Sequence, residues 1–414
     1  MSPPLDAMTT PFSLSVLTAT KGNASKRLVP DVAGKPIRDP AHSLGIAAGR
    51  IEHVQISGLV GLRDLFTCIQ HKQALVHGTP KGSRPGDGFQ LVLADTYTGA
   101  PGTIARTLDC IGYPPGVRLI MFDYDPDPAA PETIAGAHEL MARLIGLWPA
   151  LADVGWLATT STSSAIRAKQ TGDWLRPPEG MHVYVLTTGD VARFRDIIKI
   201  RLWLAGYGFC KLATPNTQTG VAAVLKRAMV DMMVFSPERL DYVAGAQIAK
   251  NAPFYQDRPV PALHPGIVLD LDTVPDLTAA ERAEYARLVA KAKEHLTPER
   301  RARVRTAITR ATPPMPEAEV EQEITARLDR AERGDKPRHD LRYPSVHFSR
   351  PYRSVKGEGG ETLTDSISTC LFVDCFLMPT FCHFCRSFMP LWGEREMVRF
   401  AARRTADDDP PSHL

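Results

Sequence analysis

The chain has 414 residues, 43% hydrophobic and 23% charged, with a formal net charge of +3. This is an ordinary globular balance, long enough for two domains and a sizeable core, and it points away from a disordered or fibrous chain. So small a net charge singles out no partner; local clustering has to. The 7 cysteines, four of them crowded near the C-terminus, do not resemble a secreted disulfide framework. The N-terminus lacks the basic-then-apolar pattern of a signal peptide, so a cytoplasmic protein is expected.

In chain order, residues 1–45 mix Pro, Ser, Thr and scattered Lys and Arg and read as a flexible arm. From Ile46 to Val76 apolar residues return at a spacing that suits a helix. A Gly/Pro/Lys-rich loop (78–88) precedes a strand over 89–94, and 103–110 reads as a short helix. The run Val117–Phe122 reads as a buried strand. It ends in Asp123 and Asp125, which alternate and therefore project to one side.

Pro131 and Glu132 suit a helix start, and Ile134, Ala137, Met141, Leu144, Ile145 and Trp148 follow at helical spacing. A strand over 154–160 leads into the polar run Ser161-Thr162-Ser163-Ser164, with Arg167 and Lys169 close behind. Met181–Leu186 alternates cleanly as a strand, with His182, Tyr184 and Leu186 on one face. A lone strand His is more often structural than functional. Asp190 caps a helix that ends at Gly206, and 207–213 is a further strand carrying Lys211.

Asp231 lies among apolar residues in Val230-Asp231-Met232-Met233-Val234-Phe235. Such an acid needs a partner: an N-cap or buried ion pair on the bland reading, a metal on the functional one. Residues 276–311 are helical and carry Arg300, Arg301, Arg303, Arg305 and Arg310. They form either a solvated face or a surface for a phosphate backbone.

Two carboxylates held side by side repel unless a cation separates them, and hard ions such as Mg²⁺ or Mn²⁺ suit them. The bland alternative for Asp123-x-Asp125 is a solvated turn. A calcium loop fits badly, because its required Gly and Glu positions are Pro128 and Ile134. A second Asp-x-Asp, Asp270 and Asp272, reads as a linker turn.

Taken together, Asp123-x-Asp125 after an apolar strand, Gly180-Met181-His182 at a strand start and Val230-Asp231, in that order, resemble the archaeo-eukaryotic primase (primase-polymerase) superfamily. Ser161–Ser164 before the His strand is similar to plasmid- and phage-type members. The resemblance covers roughly residues 90–250. It implies an α/β (α+β) fold: a two-part catalytic core over 46–262 with an RNA-recognition-like sheet, followed by a helical accessory region over 263–335.

The implied activity is that of a DNA-dependent primase or polymerase of a mobile-element replication system, acting by two-metal nucleotidyl transfer on single-stranded DNA. By the same resemblance Asp123, Asp125 and Asp231 hold two Mg²⁺ or Mn²⁺ ions and His182 contacts the nucleoside triphosphate. Ser163, Ser164, Arg167, Lys169, Lys211 and Arg239 are further phosphate contacts, and Asp241 is the fallback for Asp231. The helical region would bind template DNA through Arg300, Arg301 and Arg303. No P-loop pattern occurs in the chain, so a helicase or replication-initiation protein would be a separate partner.

Residues 336–414 are irregular. Cys370, Cys375, Cys382 and Cys385 permit a zinc site without specifying one, against buried or incidental thiols. The apolar stretch around them is interrupted by charges and prolines, which argues against a membrane span. Two other functions compete with the transferase. One is a replication-initiation or template-binding protein with a vestigial site. The other is a different metal-dependent phosphotransferase, of which a Toprim-type arrangement is disfavoured because it needs an upstream Glu at a strand end.

Overall fold

A computed structural model describes residues 4–216, 219–311 and 315–333. The expected arm is instead the centre of a sheet. β1 (Pro11–Asn23) pairs antiparallel with β4 (Gly45–Ser57) along nearly its whole length, and Phe12, Leu14 and Val16 are buried. Between them, β2 (Arg27–Pro30) and β3 (Pro36–Arg38) form a small hairpin. The helix expected over Ile46–Val76 is confined to α1 (Gly58–Cys68), with strands on either side. Gly58 marks the switch: its φ is +64°, and a Cβ there would sit 2.1 Å from the Met8 carbonyl oxygen. β5 (Gln73–Val76), β6 (Gly88–Val92) and β7 (Thr103–Ala105) extend the sheet; the last replaces a predicted helix with a strand parallel to β6.

The acidic run is β8 (Arg118–Tyr124). The helix expected at Pro131 starts later, as α2 (Ala137–Leu147), with Glu139 accepting from the Ala135 amide at its N-terminal end. β9 (Trp156–Thr160) follows. Its continuation makes an excursion through β10 (Ile166–Ala168) and β11 (Trp174–Arg176) before β12 (Met181–Thr188) returns. α3 (Val191–Leu204) is capped by Asp190, whose carboxylate accepts from the Ala192 and Arg193 amides, and Gly206 at φ +84° lies just past its end.

β13 (Gly208–Leu212) and β14 (Val224–Ala228) form a hairpin, and a short 3₁₀ turn covers Met232–Phe235. β15 (Leu240–Asp241) then crosses back to the N-terminal sheet, whose order is β15-β5-β1-β4-β6-β7. β16 (Gln247–Ile248) joins β2, and β17 (Phe254–Gln256) joins β10. β18 (Ala262–His264) completes the order β8-β12-β9-β18, and β19 (Leu269–Asp270) runs parallel to the end of β12. The core sheet therefore extends beyond the boundary expected at 262, and Leu269, Leu271, Val274 and Leu277 belong to its core. Three helices, α4 (Ala279–His295), α5 (Thr297–Ala311) and α6 (Glu317–Glu332), follow in the expected helical region.

Strand alternation gives the second sheet two packed faces. Ile120, Phe122, Val183 and Val185 bury against Leu140, Leu144, Phe194 and Ile198 of α2 and α3. Leu119, Met121, Tyr184 and Leu186 bury against Phe12, Leu14, Leu59 and Leu62 of the N-terminal module. Asp123 and His182 continue the second face, so both side chains emerge where the two sheets meet. The chain is a mixed α+β protein. Among the described residues, no helix is long and apolar enough to cross a membrane.

Candidate active site

The three motifs, far apart in sequence, meet at one end of the second sheet. Asp123 and His182 are cross-strand partners on β8 and β12. The Asp231 amide donates to the Asp123 carbonyl at 2.9 Å, which fixes the third acid beside the first. Asp123, Asp125, Asp127, Lys211, Arg227 and Asp231 line an open cleft of about 170 Å³. Gly180 closes the loop behind them at φ +70°; a Cβ there would lie 3.0 Å from both Asp125 Oδ1 and Ser161 Cβ.

Asp123 is electrostatically exposed to its neighbours in an unusual way. Its Oδ1 is buried and accepts no hydrogen bond, with His182 Nε2 at 3.5 Å as an ion-pair neighbour. Burial pushes its carboxyl up to about 6; His182 pulls down, and Asp125, Asp231 and Asp241 add to the rise. His182 thus offsets only part of the cost of ionising Asp123.

Behind His182 lies a buried network that also ties the two sheets together. His182 Nδ1 is 3.4 Å from Asp241 Oδ1 and 3.2 Å from the Tyr184 hydroxyl. The Tyr184 hydroxyl donates to Asp241 Oδ2 at 2.8 Å, and His77 Nε2 lies 3.2 Å from the same oxygen. Burial works against charge on His182, but Asp241 and Asp123 outweigh it and raise its pKa. Burial likewise opposes charge on Asp241, yet His182 and His77 hold its carboxyl well below the usual range. Asp241, the fallback acid, thus anchors the histidine from β15 and lies behind it.

The structure also gathers cations that the motifs do not contain. Half-buried Lys26 places Nζ 3.2 Å from Ser163 Oγ. Burial lowers its pKa, Asp125 and Asp123 pull it back up, and Arg38 and Arg176 push it further down, so these groups share one electrostatic neighbourhood. Arg176 donates to the Pro36 carbonyl at 2.7 Å, tying β11 to the β2–β3 hairpin. Lys26, Arg38 and Arg176 escaped sequence reasoning because no local pattern marks them; only the return of the N-terminal module brings two of them to the acids.

The remaining expected residues divide. Ser163 is at the site, whereas Ser164 is buried and its hydroxyl donates to the Ser161 carbonyl at 2.9 Å. Arg167 pairs with Asp257 at 2.7 Å on the sheet β11-β10-β17, near exposed Lys169. Lys211 lines the cleft in an ion pair with Asp127. Arg239 is exposed and does not line the cleft. Asp231 does line it, but its Oδ1 caps the 3₁₀ turn through the Met233 amide at 2.9 Å and lies 3.7 Å from Arg227, so the bland reading of this acid is also met.

The helical arginines are engaged within the chain. Arg300 donates to the Ala222 carbonyl and pairs with Glu332 at 3.0 Å; Arg301 pairs with Glu321 and Arg303 with Glu299. Arg300 and Arg301 fasten α5 to α6 and to the loop before β14, whereas the Arg303–Glu299 pair lies within α5, so each expected template contact has a carboxylate partner in the chain. Cys370, Cys375, Cys382 and Cys385 lie outside the described residues.

The donor set at the cleft is all carboxylate oxygen, which suits a hard divalent cation. The orphaned Asp123 oxygen with Asp125 alongside fits such an ion. Among the described residues, no three His, Cys, Asp or Glu side chains are already gathered as ligands. Neither protein-family models, curated proteins nor solved structures give a match to this chain.

Proposed function

We propose that the cleft is a nucleotidyl-transfer site and that the protein is a primase or polymerase acting on single-stranded DNA. The observation that carries this is the convergence of Asp123, His182 and Asp231 on one strand end, in the order the primase-polymerase resemblance requires. The topology is in line with it. β8-α2-β9-β12-α3, with the strands in spatial order β8-β12-β9, is the split β-α-β arrangement on which RNA-recognition-like sheets are built.

Asp123, Asp125 and Asp231 would hold the divalent cations. When bound, those ions supply activation of the attacking hydroxyl and neutralisation of charge leaving with pyrophosphate. The chain's own groups do the rest. His182, held by Asp241 with Nε2 toward the acids, is placed to donate to a phosphate oxygen. Lys26, Arg38 and Arg176 offset the charge of a triphosphate approaching Ser163. The close packing at Gly180 holds Asp125 against the start of the Ser161–Ser164 run.

The test is incubation with single-stranded DNA, Mg²⁺ or Mn²⁺ and labelled nucleotides, with and without an annealed primer. Products without primer establish a primase, and extension of the primer alone establishes a polymerase. DNA binding without either product would favour a template-binding protein with a vestigial site and overturn the proposal.

A further inference from the structure

The excursion between β9 and β12 carries a surface that the transferase reading leaves unused. In the sheet β11-β10-β17, Arg167 is the register partner of both Trp174 and Tyr255. The three side chains therefore form one row across three strands, spanning about 10 Å at ordinary strand spacing. The opposite face is committed to packing, since Ile166 and Phe254 are fully buried in a small core with Leu28, Ala246 and Ala252. On the outer face Trp174 is 39% and Tyr255 40% exposed, which is unusual for two large rings on one short sheet.

The row is held in place rather than loosely displayed. The Arg167 guanidinium lies 3.5 Å from the Trp174 ring centroid, pairs with Asp257 and donates to the Gly172 carbonyl at 2.7 Å. Its charge fixes the indole, and Asp257 offsets part of that charge. Exposed Lys169 lies just beyond on the same segment, with Asp173 the exposed acid nearby. β11 ends in Arg176, which donates to the Pro36 carbonyl of the β2–β3 hairpin at 2.7 Å, and Lys26 at the start of that hairpin reaches Ser163 at 3.2 Å. The Ser161 amide donates to the Gly180 carbonyl at 3.1 Å, closing the base of the excursion against the acid end of the core sheet. Aromatic faces leading into a cationic strip match a polymer of planar bases on a phosphate backbone.

We infer that Trp174, Arg167 and Tyr255 form a stacking platform for bases of single-stranded nucleic acid, feeding the strand past Arg176 toward the carboxylate cleft. This rests on the transferase reading for its direction, and it moves template contact from the α5 arginines to this sheet.

The test measures binding of a labelled oligothymidylate by fluorescence anisotropy, with nucleotide incorporation measured in parallel. Each stacked base is worth a factor of roughly 5 to 150, so Trp174→Ala/Tyr255→Ala should weaken binding at least about tenfold. Trp174→Phe/Tyr255→Phe, which keeps a stacking face, should retain most of it with the same thermal midpoint. If wild type incorporates nucleotides on a template and the alanine pair binds as wild type does, the platform is overturned while the transferase reading stands. If wild type incorporates nothing yet binds the oligonucleotide through these two rings, the platform stands and the transferase reading fails. Absence of any oligonucleotide binding by wild type overturns the platform outright and leaves a protein partner for that face.

Discussion

Replacing Asp123 with Asn separates the cost of the site from its use. Asp123 is only 17% exposed at its side chain, and its carboxyl is pushed from 3.8 to about 6. That is roughly two pH units at 1.36 kcal/mol each, or about 3 kcal/mol of folding free energy lost by keeping the group ionised. The sign follows from the raised value. Below about pH 4 both folded and unfolded chains are protonated here and no cost arises; the cost grows through the interval and is complete above about pH 6. Asp123→Asn should therefore unfold about 3 kcal/mol harder than wild type at neutral pH, roughly 5 °C in midpoint, with the difference closing toward pH 4.

His182, whose pKa is raised, also stabilises more below its unfolded value and loses that contribution as pH rises, so the difference between the two profiles is the diagnostic. Saturating Mn²⁺ should stabilise wild type, by about 2.7 kcal/mol at a hundred times Kd, and the variant much less. Urea titrations at a series of pH values measure all of this. A variant less stable than wild type at neutral pH would rule out a burial cost at Asp123.

Asp241→Ala strands two histidines and a tyrosine hydroxyl in a buried site and should cost about 3–5 kcal/mol by urea denaturation. The depressed Asp241 carboxyl means that its contribution is present above the unfolded value and disappears as pH falls toward the folded one. Gly180→Ala, at φ +70° with Asp125 Oδ1 only 3.0 Å from the new Cβ, should cost about 1–2 kcal/mol and lower nucleotide incorporation more than thermal stability. Arg300→Ala/Arg301→Ala/Arg303→Ala should loosen α5 from α6, lowering the unfolding free energy by about 1–3 kcal/mol. The dependence of DNA affinity on salt should stay as in wild type; a flatter dependence would restore these residues as phosphate contacts.

What was legible in the sequence was what local pattern controls. The strands at 118–124, 156–160 and 181–188, the Asp190 cap and the Gly206 stop follow from alternation, capping chemistry and glycine's tolerance of positive φ. What was not legible depends on distant partners. β1 alternates Phe12, Leu14 and Val16 with Ser13 and Ser15, but its neighbouring prolines and polar residues masked a strand secured by pairing with 45–57. The same holds at the site. The acids and His182 carry motifs, whereas His77, Lys26 and Arg38 arrive from the N-terminal module, and Asp241 was visible only as a spare acid. The α5 arginines read as a solvated face or a phosphate surface, and their carboxylate partners, on the next helix or a turn away, were not legible.

The most direct measurement is single-turnover incorporation of a labelled nucleotide on primed single-stranded DNA in Mn²⁺, comparing wild type with Asp123→Ala/Asp125→Ala and with His182→Ala. Wild type should give product, the acid pair none, and His182→Ala a weakened dependence on nucleotide concentration with residual turnover. Product that persists in the acid pair, or a wild type that binds nucleotide and template and transfers nothing, would contradict a transferase site at Asp123 and Asp125.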